Sequence, residues 1–423
     1  MSHPTDFSRR ARWSGGESLV SVLMAKALTH PELTSLAAGF VENQTLPVDA
    51  TARAFEAVWS VPERAREALQ YGTTIGYPPL RQAIVDRLVS CDGLPPGALS
   101  ADHVVITPGS NQLLYLVACV LCDPGDVVLC GAPSYFVYLA TLRGLGIRSI
   151  GVAVDQRGMV PEALEEQLER LERQGQLGRV KAIYVTSYFD NPTGLTLAAE
   201  RRGAMVETAR RWSKAGRIYI IEDTAYRELR YWGDDVPSLR SFDPSGETVI
   251  QAGTFSKSYS PGIRVGWGVL PPELVEPVLT AKGNLDFGSP QLNQVLMSTV
   301  LELGLFDRHL EVLRQGYRAK VEATMEAAER FLGPLSGVQC QRPNGGLYVW
   351  LRLPEGVDTG PAGRLFDLAA ERGVLYVPGQ FCYPAEGPPV PRNRIRLSFG
   401  TASCEEIGRG IEALAGAIRQ VTG

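Results

Sequence analysis

The chain has 423 residues, of which 44% are hydrophobic and 21% are charged, and its formal net charge is −4. This length allows a large buried core and predicts one large domain together with a smaller one. The acidic balance lacks the basic character that binding to nucleic acid or to an anionic membrane requires, and no apolar run reaches the ~20 residues of a transmembrane helix. We therefore expect neither nucleic acid nor a membrane among the partners.

The cysteines and the N-terminal segment indicate the cellular compartment to expect. The seven cysteines are scattered and odd in number, which argues against a disulfide framework. Cys119 and Cys122 form a C-x-x-C motif, but it lies in an apolar stretch without a second ligand pair. We therefore expect buried structural thiols and no metal site. The N-terminal segment is polar and arginine-rich, unlike a secretory signal, so a reduced, cytoplasmic enzyme is expected.

Between about residue 100 and residue 270, short β-rich runs alternate with longer helical segments. The β-rich runs are residues 103–109, 126–133, 181–187, 217–223, 249–255 and 264–270. Several are apolar at nearly every position, which is typical of strands covered on both faces. The helix-sized segments 160–176 and 198–216 lie between them. This alternation predicts an α/β fold with a mainly parallel sheet between two helical layers.

After Pro290 the pattern changes. A long helical region at 291–332 leads to a Pro-Asn-Gly-Gly turn, three β-rich runs and a final helix, which together predict a smaller α+β domain. We expect three parts, which are an N-terminal segment that packs with the small domain (1–45), a large domain (46–290) and the small C-terminal domain (291–423).

Reactive side chains follow one of the predicted buried strands. Lys257 comes directly after the strand, and Arg264 stands seven residues later. Open α/β sheets bind ligands beyond the C-terminal ends of their strands, where a lysine can attack a carbonyl and an arginine can bind a phosphate. For a lysine considered alone, an ordinary position in a polar surface loop is the commoner situation. The residues at the other strand ends therefore have to show whether Lys257 belongs to a ligand-binding site.

Three other predicted strands end in residues that suit a single ligand. One ends at Asp223, whose carboxylate can pair with a protonated pyridine nitrogen. A second leads into Asn191, in a rigid Asn-Pro-Thr-Gly turn. A third ends at Ser110 and Asn111, where small residues open a helix whose free N–H groups suit an anion. Each feature is weak alone, and the ordered set is strong.

This ordered set resembles the class I and II aminotransferases of pyridoxal-phosphate fold type I, in the branch that contains 2-aminoadipate and kynurenine aminotransferases. The resemblance covers nearly the whole chain from Gly39 onward, in the blocks QYGTTIGYPPLR, ITPGSNQLL, GAPSYF, NPTG, EDTAY, GTFSKSYSPGIRVGW and RIRLSFG. It implies a mainly parallel seven-stranded sheet sandwiched by helices in the large domain, a smaller α+β domain, and pyridoxal 5′-phosphate as the cofactor.

The resemblance also implies roles for individual positions. Lys257 resembles the catalytic lysine that holds the cofactor as a Schiff base. The positions that resemble the cofactor-binding residues are Ser110, Asn111, Tyr135, Asn191, Asp223, Tyr226, Ser256, Lys257 and Arg264, with Tyr71 donated by the neighbouring subunit. Substrate binding is implied for Gly39, Asn191 and Arg396, the last of which resembles the arginine that binds the α-carboxylate as a fork. The partners implied are amino acid and 2-oxo acid substrates and a second copy of the chain, in a homodimer with shared active sites.

The implied reaction moves an amino group from an L-amino acid to a 2-oxo acid, with 2-oxoglutarate as the expected acceptor, by a ping-pong Schiff-base mechanism. One alternative stays open, in which the same fold and cofactor carry out elimination, cyclisation or oxidation. Two non-enzymatic alternatives are weaker. A regulatory protein needs an added DNA-binding module, for which about 45 residues before the family blocks leave little room, and an inactive binding protein is opposed by Lys257 and Asp223.

Asp190 departs from the resemblance, because relatives often carry glutamine immediately before the asparagine of this turn. An extra carboxylate near the cofactor would favour a cationic amino acid substrate. The alternative is an aspartate that caps the turn by bonding to its backbone or that faces solvent. A basic donor is therefore offered only as a hypothesis.

Overall fold

The computed structural model describes residues 6–15, 23 and 33–423. Much of the predicted N-terminal segment therefore lies outside the described residues. In chain order the strands are β1 (Thr34–Ser35), β2 (Val104–Thr107), β3 (Val127–Ala132), β4 (Arg148–Asp155), β5 (Gly158–Met159), β6 (Val180–Thr186), β7 (Tyr219–Asp223), β8 (Val249–Thr254), β9 (Gly266–Val269), β10 (Gln339–Cys340), β11 (Tyr348–Arg352), β12 (Val374–Leu375), β13 (Val377–Pro378) and β14 (Arg394–Ser398).

The main sheet has the strand order β2-β9-β8-β7-β6-β3-β4-β5. Strands β8, β7, β6, β3 and β4 run parallel, whereas β9 is antiparallel to both of its neighbours. The predicted mainly parallel sheet of seven strands is confirmed, and the two-residue strand β5 extends it at one edge. All six β-rich runs are strands. Strand β4 was not predicted, because charged residues at its two ends and Gly151 near its middle interrupt the apolar pattern.

Helices cover the sheet and connect its strands. In chain order the α-helices of the described residues are α1 (Arg9–Trp13), α2 (Val48–Trp59), α3 (Pro62–Leu69), α4 (Pro78–Asp92), α5 (Ser110–Leu121), α6 (Phe136–Gly144), α7 (Pro161–Arg173), α8 (Ala199–Trp212), α9 (Pro272–Asp286), α10 (Gln291–Glu302), α11 (Leu305–Ala327), α12 (Arg364–Glu371) and α13 (Cys404–Thr422). The predicted helical region 291–332 is not continuous, because Gly304 adopts a left-handed conformation (φ 63°) between α10 and α11.

Helix α7 illustrates why these segments pack as they do. Proline at its first position fits the helical φ and needs no hydrogen-bond partner there. Leu164, Leu168 and Leu171 recur at a spacing of three to four residues and are completely buried in one apolar cluster with strands β3, β4 and β6. Burial of each such leucine contributes roughly 1.5–3 kcal/mol. The charged residues of the helix lie on its other face.

The C-terminal third is built around a four-stranded sheet of order β10-β11-β14-β13. Its interstrand pairs are antiparallel, and helix α13 begins with a capping box between Ser403 and Glu406. Strand β1 pairs in parallel with β12, which ties the N-terminal part of the described chain to the C-terminal part. The smaller α+β unit is thus present, while the boundaries proposed at residues 45 and 290 stay predictions.

The cysteines differ in part from the expectation of buried thiols. Cys130 and Cys382 are buried, but Cys119 is exposed, because it lies on the solvent-facing side of helix α5. Among residues 6–15, 23 and 33–423, no cluster of three or more histidine, cysteine or acidic side chains has the geometry of a metal site. Within the same ranges no helix is long and apolar enough to cross a membrane.

Candidate active site

Lys257 follows the end of β8 and points into the interior of the protein. Its Nζ donates a hydrogen bond to the carbonyl oxygen of Gly39 at 2.8 Å, which brings the N-terminal segment to the end of the sheet. Burial, together with the positive charges of Arg396 and Arg264, lowers the pKa of Lys257 to about 8. A substantial fraction of this amine is therefore neutral near pH 8, in the form that can attack a carbonyl.

Asp223 is the last residue of β7 and lies next to β8 in the sheet. Its carboxylate accepts hydrogen bonds from the Tyr184 hydroxyl (3.0 Å) and from the backbone N–H of Ala225 (3.1 Å). Burial raises the pKa of Asp223, and these two hydrogen bonds oppose the rise by stabilising the ionised form. The site thus holds a fixed, buried carboxylate beside the strand that leads to Lys257.

Arg396 and Asn191 form an enclosed part of the site. The guanidinium donates to Asn191 Oδ1 at 2.9 Å and to the carbonyl oxygen of Ala37 at 2.6 Å, and only 2% of the residue is exposed. It stacks on the rings of Tyr348 (4.4 Å) and Phe136 (5.2 Å), while its Nε is buried without a partner in the described chain. A buried guanidinium with an unused donor, and with no carboxylate bonded to it among the described residues, suits an anionic ligand.

Arg264 lies at the opposite, exposed end of the site in a left-handed conformation (φ 49°). It donates to the carbonyl oxygen of Pro108 at 2.8 Å and to the Ser256 hydroxyl at 3.4 Å. Gly109, at φ 89°, places the first turn of helix α5 at Ser110 beside this guanidinium. A side chain at Gly109 would put its Cβ 2.6 Å from Arg264 Nη2, so the glycine keeps the approach open. The arrangement of helix N-terminus, hydroxyl and guanidinium fits a phosphate.

Two further predicted residues, Tyr135 and Tyr226, contact residues of these two parts of the site. The hydroxyl of Tyr135 lies 3.5 Å from Asn111 Oδ1, at the start of helix α5. The hydroxyl of Tyr226 lies 3.1 Å from that of Tyr348. Tyr71 is not part of this buried group, because its side chain is 82% exposed and its ring lies edge-on to Phe287. The structure therefore brings the predicted residues together within one chain, with the exception of Tyr71.

Sequence reasoning missed three aromatic residues of the site. Tyr348 and Phe136 flank the Arg396 guanidinium, and Tyr184 donates to Asp223. Phe136 directly follows Tyr135, so the predicted role of Tyr135 could have indicated that Phe136 is also in the site. The other two occupy apolar runs that predict buried strands, where a tyrosine is ordinarily part of the core, and only the register of β6 and β11 directs them to the site.

Asp190 makes the contacts of the turn-capping alternative. Its Oδ2 accepts a hydrogen bond from the Thr193 hydroxyl at 2.9 Å, and its backbone carbonyl accepts from the N–H of Gly194. Burial raises the pKa of Asp190 to about 7 even though hydrogen bonds from the hydroxyl and the backbone N–H of Thr193 stabilise the ionised form. Selection of a cationic substrate by Asp190 stays a hypothesis.

Comparison with known proteins identifies the family. A family model described as aminotransferase class I and II matches residues 31–414. The chain belongs to this family. Among its relatives, the 2-aminoadipate transaminase of Thermus thermophilus is 34% identical over 401 residues, which cover 94% of this aminotransferase and 92% of the relative. The aromatic-amino-acid aminotransferase 1 of Thermococcus litoralis is 33% identical over 397 residues, with coverage of 94% and 90%.

Solved structures agree with the family match. The crystal structure of Pyrococcus horikoshii kynurenine aminotransferase, in complex with PMP, superposes with a TM-score of 0.89 at 32% identity and covers 99% of this aminotransferase and 98% of that chain. The predicted enzyme class and its cofactor, pyridoxal 5′-phosphate, are thereby confirmed. The site fits this cofactor, because the cradle at Gly109 and Arg264 suits a phosphate and Asp223 suits a ring nitrogen.

Proposed function

We propose that this aminotransferase moves an amino group from an L-amino acid to a 2-oxo acid, with 2-oxoglutarate as the acceptor, by a ping-pong mechanism in which Lys257 is the catalytic residue. The observation that carries the proposal is the position of Lys257, whose amine bonds to the Gly39 carbonyl oxygen. It follows the strand next to the one that ends in the buried Asp223, and the charge of the buried Arg396 acts on it. An amine of lowered pKa in this position can both bind the cofactor aldehyde and move a proton.

The two ends of the site suit the two ends of the cofactor. Arg264, Ser256 and the N-terminus of helix α5 would hold the phosphate, and Asp223 would pair with the ring nitrogen. Tyr226 and Asn191 would bond the phenolic oxygen. When bound, the cofactor supplies an electron-withdrawing ring that stabilises negative charge on the substrate α-carbon.

The substrate end is formed by Arg396 and Asn191. The guanidinium would bind the α-carboxylate as a two-pronged donor and so fix the orientation of the α-carbon. The Lys257 amine would take the proton from that carbon and deliver it to the cofactor carbon on the other side of the substrate nitrogen. Water would be kept out by the segment at Gly39, which already contacts Lys257.

The proposed active unit is a homodimer in which Tyr71 completes the site of the partner subunit. Large apolar side chains on and next to helices α2, α3 and α9 are exposed, and they include Phe55, Trp59, Leu69 and Phe287. Monomeric proteins seldom expose a concentration of apolar side chains of this kind. A dimer mass in analytical ultracentrifugation is the expected result, and a monomer at micromolar concentration would contradict this part of the proposal.

The test of the reaction is a donor screen with 2-oxoglutarate as acceptor. The donors should include 2-aminoadipate, aromatic amino acids, alanine and basic amino acids, and both the new 2-oxo acid and glutamate should be measured. Equal amounts of the two products are expected. Product from the donor without glutamate would instead favour elimination, cyclisation or oxidation.

Lys257→Ala is the decisive variant. It removes the amine that binds the aldehyde and moves the proton, so we expect the rate to fall by roughly a thousandfold or more. Lys181→Ala is the matched control, because Lys181 lies near the start of β6, at the far end of the strand from the site, and should leave the rate unchanged. Transamination by Lys257→Ala at a rate close to that of the wild type would overturn the assignment.

A further inference from the structure

Residues 36–42, which we call the cover segment, contact both Arg396 and Lys257. The carbonyl oxygen of Ala37 accepts a hydrogen bond from Arg396 at 2.6 Å, and that of Gly39 accepts one from Lys257 at 2.8 Å. Both donors are residues to which the proposed function assigns ligands. The Lys257 amine would give up its bond to Gly39 when it binds the cofactor, so the position of the cover segment then depends on its other contacts.

The first part of the cover segment lies against the residues that end and follow strand β14. The carbonyl oxygen of Leu36 accepts a hydrogen bond from the N–H of Ser398 at 2.7 Å. A side chain at Gly400 would collide with the carbonyl oxygen of Phe40, so this glycine allows the two backbones to meet. These contacts are made by backbone atoms.

The cover segment ends in a buried ion pair with helix α11. Oε1 of Glu42 lies 2.9 Å from Nζ of Lys320, and the two side chains are 17% and 4% exposed. Lys320 also donates to the carbonyl oxygen of Gly400 at 3.4 Å. The N–H of Glu42 donates to the hydroxyl of Tyr317, on the same helix, at 3.4 Å. One ammonium group therefore joins the cover segment, helix α11 and the residues after β14.

The depth of this ion pair favours a role in positioning over a role in stability. Removal of an ammonium and a carboxylate from water has a large free-energy cost, and apolar side chains of similar volume often give equal or greater stability. An apolar contact tolerates sliding, however, whereas Lys320 has to satisfy both the Glu42 carboxylate and the Gly400 carbonyl oxygen. The ion pair thus defines one position for the end of the cover segment.

We propose that Lys320 is a positioning residue that fixes the cover segment over the substrate end of the site through Glu42, and so determines the affinity for both substrates. The inference rests on the proposed function, because it takes the amino acid and the 2-oxo acid to bind at Arg396 beneath this segment. A segment in place for only about a tenth of the time would lower the apparent affinity about tenfold, because a ligand binds only the competent fraction of the protein.

The test is a paired variant, Lys320→Met with Glu42→Met, in which two unbranched apolar side chains replace the ion pair. At saturating cofactor, kcat/KM should fall about tenfold for the amino acid and for the 2-oxo acid alike, because both bind under the same segment. The kcat should change less than about twofold, since Lys257 and Asp223 keep their places on the main sheet. The Tm should stay within about 3 °C of wild type.

Hydrogen–deuterium exchange gives a second measurement, which does not depend on turnover. In the paired variant, peptides that contain residues 36–42 should exchange roughly threefold faster than in wild type or more, because the cover segment leaves its place more often. Peptides from strands β7 and β8 should exchange at the wild-type rate.

Arg148→Met with Glu386→Met is the matched control. This ion pair of 2.7 Å also joins two separate parts of the chain, and its side chains are 31% and 39% exposed. Arg148 begins strand β4, whereas the site lies at the other end of the parallel strands. Both values of kcat/KM and the exchange of the cover segment should match wild type. Losses as large as those of the paired variant would overturn the specific role of Lys320.

Two further results would overturn the inference and leave the proposed function intact. One is wild-type kcat/KM and wild-type exchange in the paired variant. The other is a fall of kcat at unchanged KM, because the cover segment would then act on the reaction and not on substrate binding. A wild-type protein that transaminates no donor would overturn the proposed function and the substrate part of the inference, whereas the exchange experiment would still decide whether Lys320 fixes the segment.

Discussion

The site contains two arginines in opposite environments. Arg396 is 2% exposed, is stacked between two aromatic rings and bonds to groups of its own chain. Arg264 is exposed, and apart from Ser256 its hydrogen bonds go to carbonyl oxygens of neighbouring loops. The groups bonded to the interior arginine therefore come from its own chain, whereas the exposed arginine has room for further contacts.

This difference predicts how each of the two arginines would select its ligand. A buried guanidinium has lost its hydration and gains most from a carboxylate that matches its planar geometry, so it discriminates strongly. An exposed guanidinium competes with water, and its contribution depends on the helix N-terminus and hydroxyls around it. Loss of the first should damage substrate binding and turnover, and loss of the second should weaken cofactor binding.

The largest effect is expected for Arg396→Ala. Removing one partner of a buried, hydrogen-bonded charge pair costs 2–5 kcal/mol, so kcat/KM should fall by roughly a thousandfold and added cofactor should not restore it. Steady-state kinetics at saturating cofactor measures this. Arg392→Ala is the control, because Arg392 is largely exposed and should leave kcat/KM unchanged. If excess cofactor restored the kcat/KM of Arg396→Ala, the proposed difference between the two arginines would be wrong.

Arg264→Ala should have the next largest effect, and on a different quantity. Loss of charge-assisted hydrogen bonds of about 1.5–3 kcal/mol should raise the Kd of the cofactor by roughly ten- to a hundredfold. Equilibrium dialysis against the cofactor measures the change. Saturating cofactor should restore most of the rate, and a rate that stays low at saturation would show that Arg264 acts on the reaction rather than on cofactor binding.

A pH-dependent contribution to stability is expected from Asp190 at the buried end. Its folded pKa of about 7 lies above the ordinary value of 3.8, so between these pH values the folded state binds more protons than the unfolded state. This contribution is therefore lost as pH rises through 7, and wild type should lose about 2 kcal/mol more than Asp190→Asn between pH 5 and pH 8. Urea unfolding of the cofactor-free proteins tests this. Parallel curves for the two proteins would show that Asp190 is ionised throughout.

The smallest effect is expected for Tyr71→Ala, at the exposed end. Loss of one hydrogen bond from a partner subunit should weaken cofactor binding several-fold, about 1 kcal/mol. Mixed dimers of this variant with Lys257→Ala sharpen the test. In such a dimer one site combines an intact Lys257 with the partner's intact tyrosine, so half of the sites should regain tight binding. Unchanged affinity after subunit exchange would place Tyr71 outside the neighbouring site.

The sequence by itself determined the class of fold and predicted most residues of the candidate site. Apolar runs alternating with helical segments predicted the main sheet, because strands covered on both faces leave a local signal. Strand-end residues such as Lys257 and Asp223 could be grouped in advance, because the ends of parallel strands meet at one edge of a sheet. Strand β4 was not predicted, because its charged ends and its glycine interrupt the apolar pattern.

Only the tertiary structure decided which buried side chains meet. The stacking of Tyr348 on Arg396 depends on the register between β11 and β14, and the contact of Tyr184 with Asp223 depends on the register between β6 and β7. The local sequence pattern predicts neither register, since a tyrosine in an apolar strand is ordinarily interpreted as a residue of the hydrophobic core. The two ends of the site likewise differ through burial, which is a property of the folded chain and not of the residue type.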